Sequence, residues 1–182
     1  GEFGRTTHSE LLSAIEKLKT QGMECLIIDL QDNSGGYLDA AIEIANEFLD
    51  INEPIVYTEG RASRRREYRA NGRGTLKNLP VVILVNQNSA SAAEILAGAI
   101  QDNDRGTIIG RRTYGKGLVQ RAMDLPDGSM MRLTIARYYT PSGRCIQKPY
   151  VKGDKDSYSR DLLNRIESGE LYHEDSVHVD KS

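Results

Sequence analysis

The sequence predicts an α/β fold, on three observations. Apolar runs of strand character alternate with amphipathic helical stretches across roughly the first 110 residues, the signature of a layered fold with a mostly parallel sheet. Two of those runs, "CLIIDL" and "PVVILVNQ", are continuous rather than alternating, as strands covered on both faces are. Turn residues such as "DNSGG" and "PDG" punctuate the boundaries.

The elements follow in order. Residues 7–21 read as a helix, with Leu11, Leu12, Ile15 and Leu18 recurring on one face. Thr7 and Glu10 stand at capping-box spacing, and Gly22 follows as a C-cap. "CLIIDL" is the first buried strand and "DNSGG" the turn after it. Residues 38–50 are helical, with Leu38, Ala41, Ile42, Ala45, Phe48 and Leu49 facing inward. "PIVYTE" is a strand. Residues 61–73, "RASRRREYRANGR", hold six arginines. They suit either an anion or nucleic-acid patch or a solvated loop or hairpin arm, and the net negative charge, with only Tyr68 there to stack on bases, favours the second. "PVVILVNQ" is a strand, 91–103 a helix and "GTIIG" a short strand. "LVQRAMDL", "PDG" and "MMRLTIARYYT" form a hairpin. After Tyr150 the chain turns polar, with one weak helix near 158–168. Residues 1–150 are therefore expected to be the core and 151–182 an appendage.

The chain has 182 residues, 38% apolar and 27% charged, with net charge −2. That length supports one real core. The charge argues against a general nucleic-acid or anionic-membrane binder, and no apolar run approaches the ~18 residues of a membrane span. The two cysteines, Cys25 and Cys145, make no disulfide framework. His8, His173 and His178 do not cluster, so no metal or other cofactor is expected. The opening "GEFGRTT" reads as an interior boundary of a longer protein, and no leader is visible.

Three stretches carry candidate chemistry. "GRRTYGKG" fits the first seven positions of a phosphate loop and follows a strand. However, Gly117 stands where a magnesium-binding hydroxyl belongs, and strand residues follow instead of a helix. "NSASAAE" places Ser89 and Ser91 where a buried strand hands over to a helix. Ser91 and Glu94 form a capping box there, which is a structural role. The same position also sets a hydroxyl beside free first-turn N–H groups that could hold an oxyanion. "DNSGG" is an ordinary turn, or a second source of oxyanion donors. A serine nucleophile needs a base, and no histidine is suitably placed. Lysine serves when held neutral. Lys116 alone among the lysines is embedded in apolar and glycine-rich sequence, although a turn lysine exposed to solvent fits equally.

Together these blocks resemble the carboxy-terminal processing, or tail-specific, protease family of Ser-Lys serine peptidases. The resemblance rests on "LIIDLQDNSGGYLDAAIEIANEFL", "VVILVNQNSASAAEILAGAIQDNDRGTIIGRRTYGKGLVQ" and "LTIARYYTPSGRCIQ", in the family's order and spacing. It implies Ser91 as nucleophile, Lys116 as general base and Gln120 as the residue orienting the lysine. It implies an oxyanion hole from the N–H of Ala92 and that of Gly35 or Gly36, with Gly35 preferred. Lys116 and Gln120 lie an even number of positions apart, so on a regular strand both face one side.

The resemblance further implies a crotonase- or Clp-like core of stacked β-β-α units with a hairpin. It implies protein or peptide substrates, no nucleic acid and no metal, and an extracytoplasmic, such as periplasmic, location. A PDZ domain is expected in the full-length parent, and oligomers are compatible. Residues 151–182 depart from the family's usual closing motif, so the chain reads as an excised core whose isolated activity is in question. Two rivals stand: a non-catalytic peptide-binding scaffold, and an acyl-CoA-type enzyme of crotonase architecture. The Ser-Lys-Gln set disfavours both.

Overall fold

The computed structural model describes residues 1–150 and 153–172. In chain order the elements are α1 (Thr7–Thr20), β1 (Leu26–Asp29), α2 (Leu38–Phe48), β2 (Pro54–Glu59), β3 (Arg66–Arg69), β4 (Val81–Val85), α3 (Ala92–Asp102), β5 (Thr107–Gly110), β6 (Leu118–Asp124), β7 (Met130–Tyr139) and α4 (Lys155–Glu167). Every predicted helix and strand is present, and the arginine-rich stretch contributes β3.

The strands form two sheets. One is parallel, ordered β1-β4-β5, with Ile28 opposite Ile83 and Ile83 opposite Ile108. The other is antiparallel, ordered β3-β2-β7-β6. The expectation of a mostly parallel sheet is thus corrected, since the larger sheet is antiparallel. Connection length decides it. Parallel neighbours need a crossover of a dozen or more residues, whereas 60–65 joins β2 to β3 and 125–129 joins β6 to β7.

The core lies around α3. This helix is buried on every side, through Ile95, Leu96, Ala99 and Ile100 among others, as a central helix must be. It packs on α2, β2 and β5. Ile15, Phe48, Leu49, Ile55, Val56, Leu76 and Ile83 are likewise among the best-buried side chains. Each such side chain contributes roughly 1.5–3 kcal/mol by leaving water. Arg105 ties the edge of this core together. Its guanidinium donates to the carbonyls of Phe48 (2.8 Å), Leu76 (2.7 Å) and Leu79 (2.6 Å).

At α1 the structure departs from expectation at one end and agrees at the other. The Thr7–Glu10 capping box does not form. Thr7 Oγ1 instead accepts the Gly4 N–H at 2.8 Å, a local turn that competes with the cap. At the C-terminus, Gly22 (φ 84°) donates to Lys19 O and Met23 to Leu18 O, the paired bonds of a Schellman motif.

The chain divides into two units, Gly1–Gln147 and Lys148–Ser182. In the second, Asp154 caps α4 by accepting the Ser157 N–H at 2.9 Å, and Lys148 pairs with Asp161 at 3.3 Å. His173 and His178 lie outside the described residues, and both cysteines are free thiols.

Candidate active site

Parallel pairing puts the C-terminal ends of β1, β4 and β5 side by side. The three segments carrying candidate chemistry, 30–37, 86–91 and 111–117, each leave one of those ends. The carboxyl edge of a parallel sheet is where α/β proteins place their ligands.

Side-chain bonds stitch the first two loops together. Ser89 is fully buried and donates to Leu30 O at 2.7 Å, while its oxygen accepts the Asn86 N–H at 2.9 Å. Asp32 accepts from the amides of Asn88 (2.7 Å) and Asn86 (3.0 Å). The Asn88 bond first, and then that of Asn86, lowers the Asp32 pKa. Ser89 is thereby a structural tie, which leaves Ser91 as the serine of chemical interest.

Ser91 is the N-cap of α3 and has φ 57°, ψ −115°. L-residues rarely adopt this region, which matches the first central residue of a type II′ turn, where glycine dominates. Such backbone strain costs about 1–3 kcal/mol and concentrates at functional sites. A nucleophile on a sharp strand-to-helix turn is a known arrangement for exposing a hydroxyl. The next residue, Ala92, opens the helix, so its N–H has no intrahelical acceptor.

Gly35 explains how the first loop approaches so closely. A Cβ there would meet Ala90 O at 2.6 Å, Ser91 Cβ at 2.6 Å and Ala92 N at 2.9 Å, and its φ of +98° also suits glycine alone. The Gly35 N–H donates to Asn33 Oδ1 at 2.9 Å, while Gly35 O accepts the Phe3 N–H at 2.8 Å. Across the trans peptide, the Gly36 N–H points away from that oxygen. It makes no hydrogen bond among the described residues.

The third loop is held by Glu94, which is 6% exposed. Its Oε2 accepts the N–H groups of Ser91 (2.8 Å) and Lys116 (2.9 Å). Its Oε1 accepts Thr113 Oγ1 (2.7 Å) and the Gly115 N–H (2.6 Å). Sharing one oxygen brings the backbone nitrogens of Ser91 and Lys116 within two hydrogen-bond lengths of each other. Gly117 follows, buried against the irregular segment at Ile146 and Gln147. A Cβ there would lie 2.4 Å from Gln147 N, and the Gly117 N–H donates to Gln147 Oε1 at 3.0 Å. Glycine is needed at Gly117 for close approach rather than for an unusual dihedral.

The Lys116 and Gln120 side chains are exposed. The register shifts between Val119 and Gln120. Lys116 itself precedes β6, so strict strand alternation does not relate the two residues, and the even-spacing argument is corrected. The extra residue of that shift, Ile135, lies on β7, so β6 itself runs through Val119 and Gln120 without an insertion. Of the site's supporting residues, Glu94 was legible as a cap. The long-range bonds of Asp32, Asn86, Asn88 and Gln147 left no local signal. Among the described residues no three or more His, Cys, Asp or Glu gather as a metal site, and no helix is long and apolar enough to cross a membrane.

Residues 1–157 match the model of Peptidase family S41. The chain is 44% identical over 154 residues to a carboxyl-terminal-processing protease of Picosynechococcus sp., covering 85% of this chain and 37% of that protein. It is 38% identical over 141 residues to the chloroplastic carboxyl-terminal-processing peptidase 1 of Arabidopsis thaliana, covering 78% and 29% respectively. Among solved structures, a photosystem II D1 C-terminal processing protease superposes with a TM-score of 0.75 at 39% identity, covering 80% of this chain and 38% of that one. The chain thus spans well under half the length of these relatives.

Proposed function

Because the chain belongs to peptidase family S41, we propose that it is the catalytic core of a serine endopeptidase that cleaves proteins or peptides near their C-termini. Ser91 is the nucleophile and Lys116 the general base, with Gln120 orienting the lysine. The observation that carries this reading is the meeting of a strained Ser91 with the Lys116 backbone on one Glu94 oxygen.

In this reaction, neutral Lys116 takes the Ser91 Oγ proton as the oxygen attacks the scissile carbonyl. The tetrahedral oxyanion is held by the Ala92 N–H and a glycine N–H. The Gly36 N–H is favoured over that of Gly35, because Asn33 already occupies the latter. Lys116 then protonates the leaving amine. Water attacks the acyl-enzyme, with the lysine again as base, and releases the new C-terminus. A lysine becomes a base only when neutral, which desolvation favours. The substrates are extracytoplasmic proteins, and a PDZ domain in the complete polypeptide would present their C-termini.

The test is cleavage of a protein with an unstructured C-terminal tail by the complete gene product. Wild type should release a tail fragment, while Ser91→Ala and Lys116→Ala should each lose at least about a thousandfold in kcat. Unchanged turnover in either variant refutes the pair.

A further inference from the structure

We propose that Glu94 is the positioning residue of this site, a buried carboxylate that locks nucleophile and base into one rigid unit. The inference rests on the Ser91–Lys116 reading above and deepens it. Glu94 touches no reacting atom. Each of its oxygens accepts two donors: Oε2 those of Ser91 and Lys116, Oε1 those of Thr113 and Gly115. An ordinary capping box needs only the Ser91 bond. The other three come from a loop 19–22 positions further along the chain, so they serve the loop rather than the helix.

Two consequences follow from this arrangement. First, the pull on the Ser91 N–H helps hold the unfavourable φ at that residue, and with it the direction of the hydroxyl. Second, Lys116 enters its position from a backbone pinned on both sides, at Glu94 through its own N–H and at Gln147 through that of Gly117. A long, flexible side chain is aimed only as well as its Cα is held. Misplacing a catalytic group by about 1 Å can cost on the order of a hundredfold in rate.

The test variant is Glu94→Gln in the complete gene product, because an amide has the same shape but only one acceptor oxygen. Whichever way it flips, its NH2 group faces two donors. The inference expects kcat to fall about a hundredfold while KM stays within about twofold, because the substrate-binding surface is untouched. Thr113→Val removes a single donor and leaves the helix cap intact. It should lower kcat several-fold at unchanged KM, and Thr113→Ser should restore the rate.

Wild-type kcat in Glu94→Gln, with Ser91→Ala inactive, overturns the positioning role and leaves the proposed function standing. An active Ser91→Ala overturns both. If Glu94→Gln does not fold, Thr113→Val decides: a folded variant with unchanged kcat refutes the inference. An equal rise in KM at constant kcat refutes it as well, since that pattern marks lost substrate binding.

Discussion

Replacing Ser91 with glycine should make the protein more stable than replacing it with alanine, in the order already usual at an N-cap and by a margin that its backbone angles widen. The reason lies in one pair of angles. Ser91 holds φ 57° and ψ −115°, where a Cβ costs about 1–3 kcal/mol. Alanine keeps that Cβ and therefore the strain, whereas glycine releases it. Against this stands the extra backbone freedom glycine brings to the unfolded chain, roughly 0.5–1 kcal/mol. The difference leaves Ser91→Gly about 0.5–2 kcal/mol more stable than Ser91→Ala. For a domain of this size each kcal/mol moves the melting midpoint by about 2–4 °C. Urea denaturation of the two variants under identical conditions, read as midpoint and slope, measures the difference. Both variants should be inactive, since both lack the hydroxyl. If glycine proves equal to alanine or less stable at unchanged slope, the backbone at Ser91 is not strained. The structural argument for its special role then falls.

Other perturbations test the supports of the site. Gly35→Ala would push a Cβ within 2.6 Å of Ala90 O and of Ser91 Cβ at a positive φ. It should cost about 2 kcal/mol or more and abolish cleavage, and a stable, active variant would contradict the close approach. Arg105→Ala removes a donor from three backbone carbonyls, and among the described residues only Leu76 O keeps another, the Leu79 N–H; it should destabilise by about 2–3 kcal/mol. Arg105→Lys should not rescue it, because an ammonium lacks the planar fork; a full rescue in denaturation would refute this. Acid should weaken the fold in a defined direction. At Asp102, burial opposes ionisation, but hydrogen bonds from Ser142 and Thr140 and the contact with Arg144 outweigh it and lower the pKa. Glu47 behaves likewise, with burial outweighed by bonds from Thr75 and His8. Depressed folded-state values mean that this stability is complete above the unfolded carboxylate range, about pH 4, and is lost as pH falls through the lowered values. Urea midpoints should therefore drop on acidification below about pH 4, and less steeply in Asp102→Asn; an unchanged slope in that variant excludes Asp102 as a source.

Much of the fold was legible because burial and turning leave local marks. The continuous apolar runs located β1 and β4, although β1 is not covered on both faces as expected, since Ile27 is 61% exposed. Gly22 located the end of α1, and the Ser91–Glu94 spacing located the start of α3. The mostly parallel sheet was misjudged because "PIVYTE" carries no sign of which neighbour it will choose. The Thr7–Glu10 box was misjudged because the Gly4 N–H took the hydroxyl first. The even spacing of Lys116 and Gln120 assumed one strand carrying both, and no local feature of "KGLVQ" announces that β6 begins only at Leu118.

By itself the sequence determined the candidate chemistry: a serine at a strand-to-helix junction, a lysine between glycines, and a glycine turn after an apolar strand. Only the tertiary structure decided that these meet. Three parallel strands set the loops at one edge, Glu94 holds the Ser91 and Lys116 backbones on a shared oxygen, and Asn33 occupies the Gly35 N–H. The physical reason is range. Helix periodicity and turn chemistry act over a few residues, whereas the bond that brings Lys116 to Glu94 spans 22 positions and exists only once the sheet has formed.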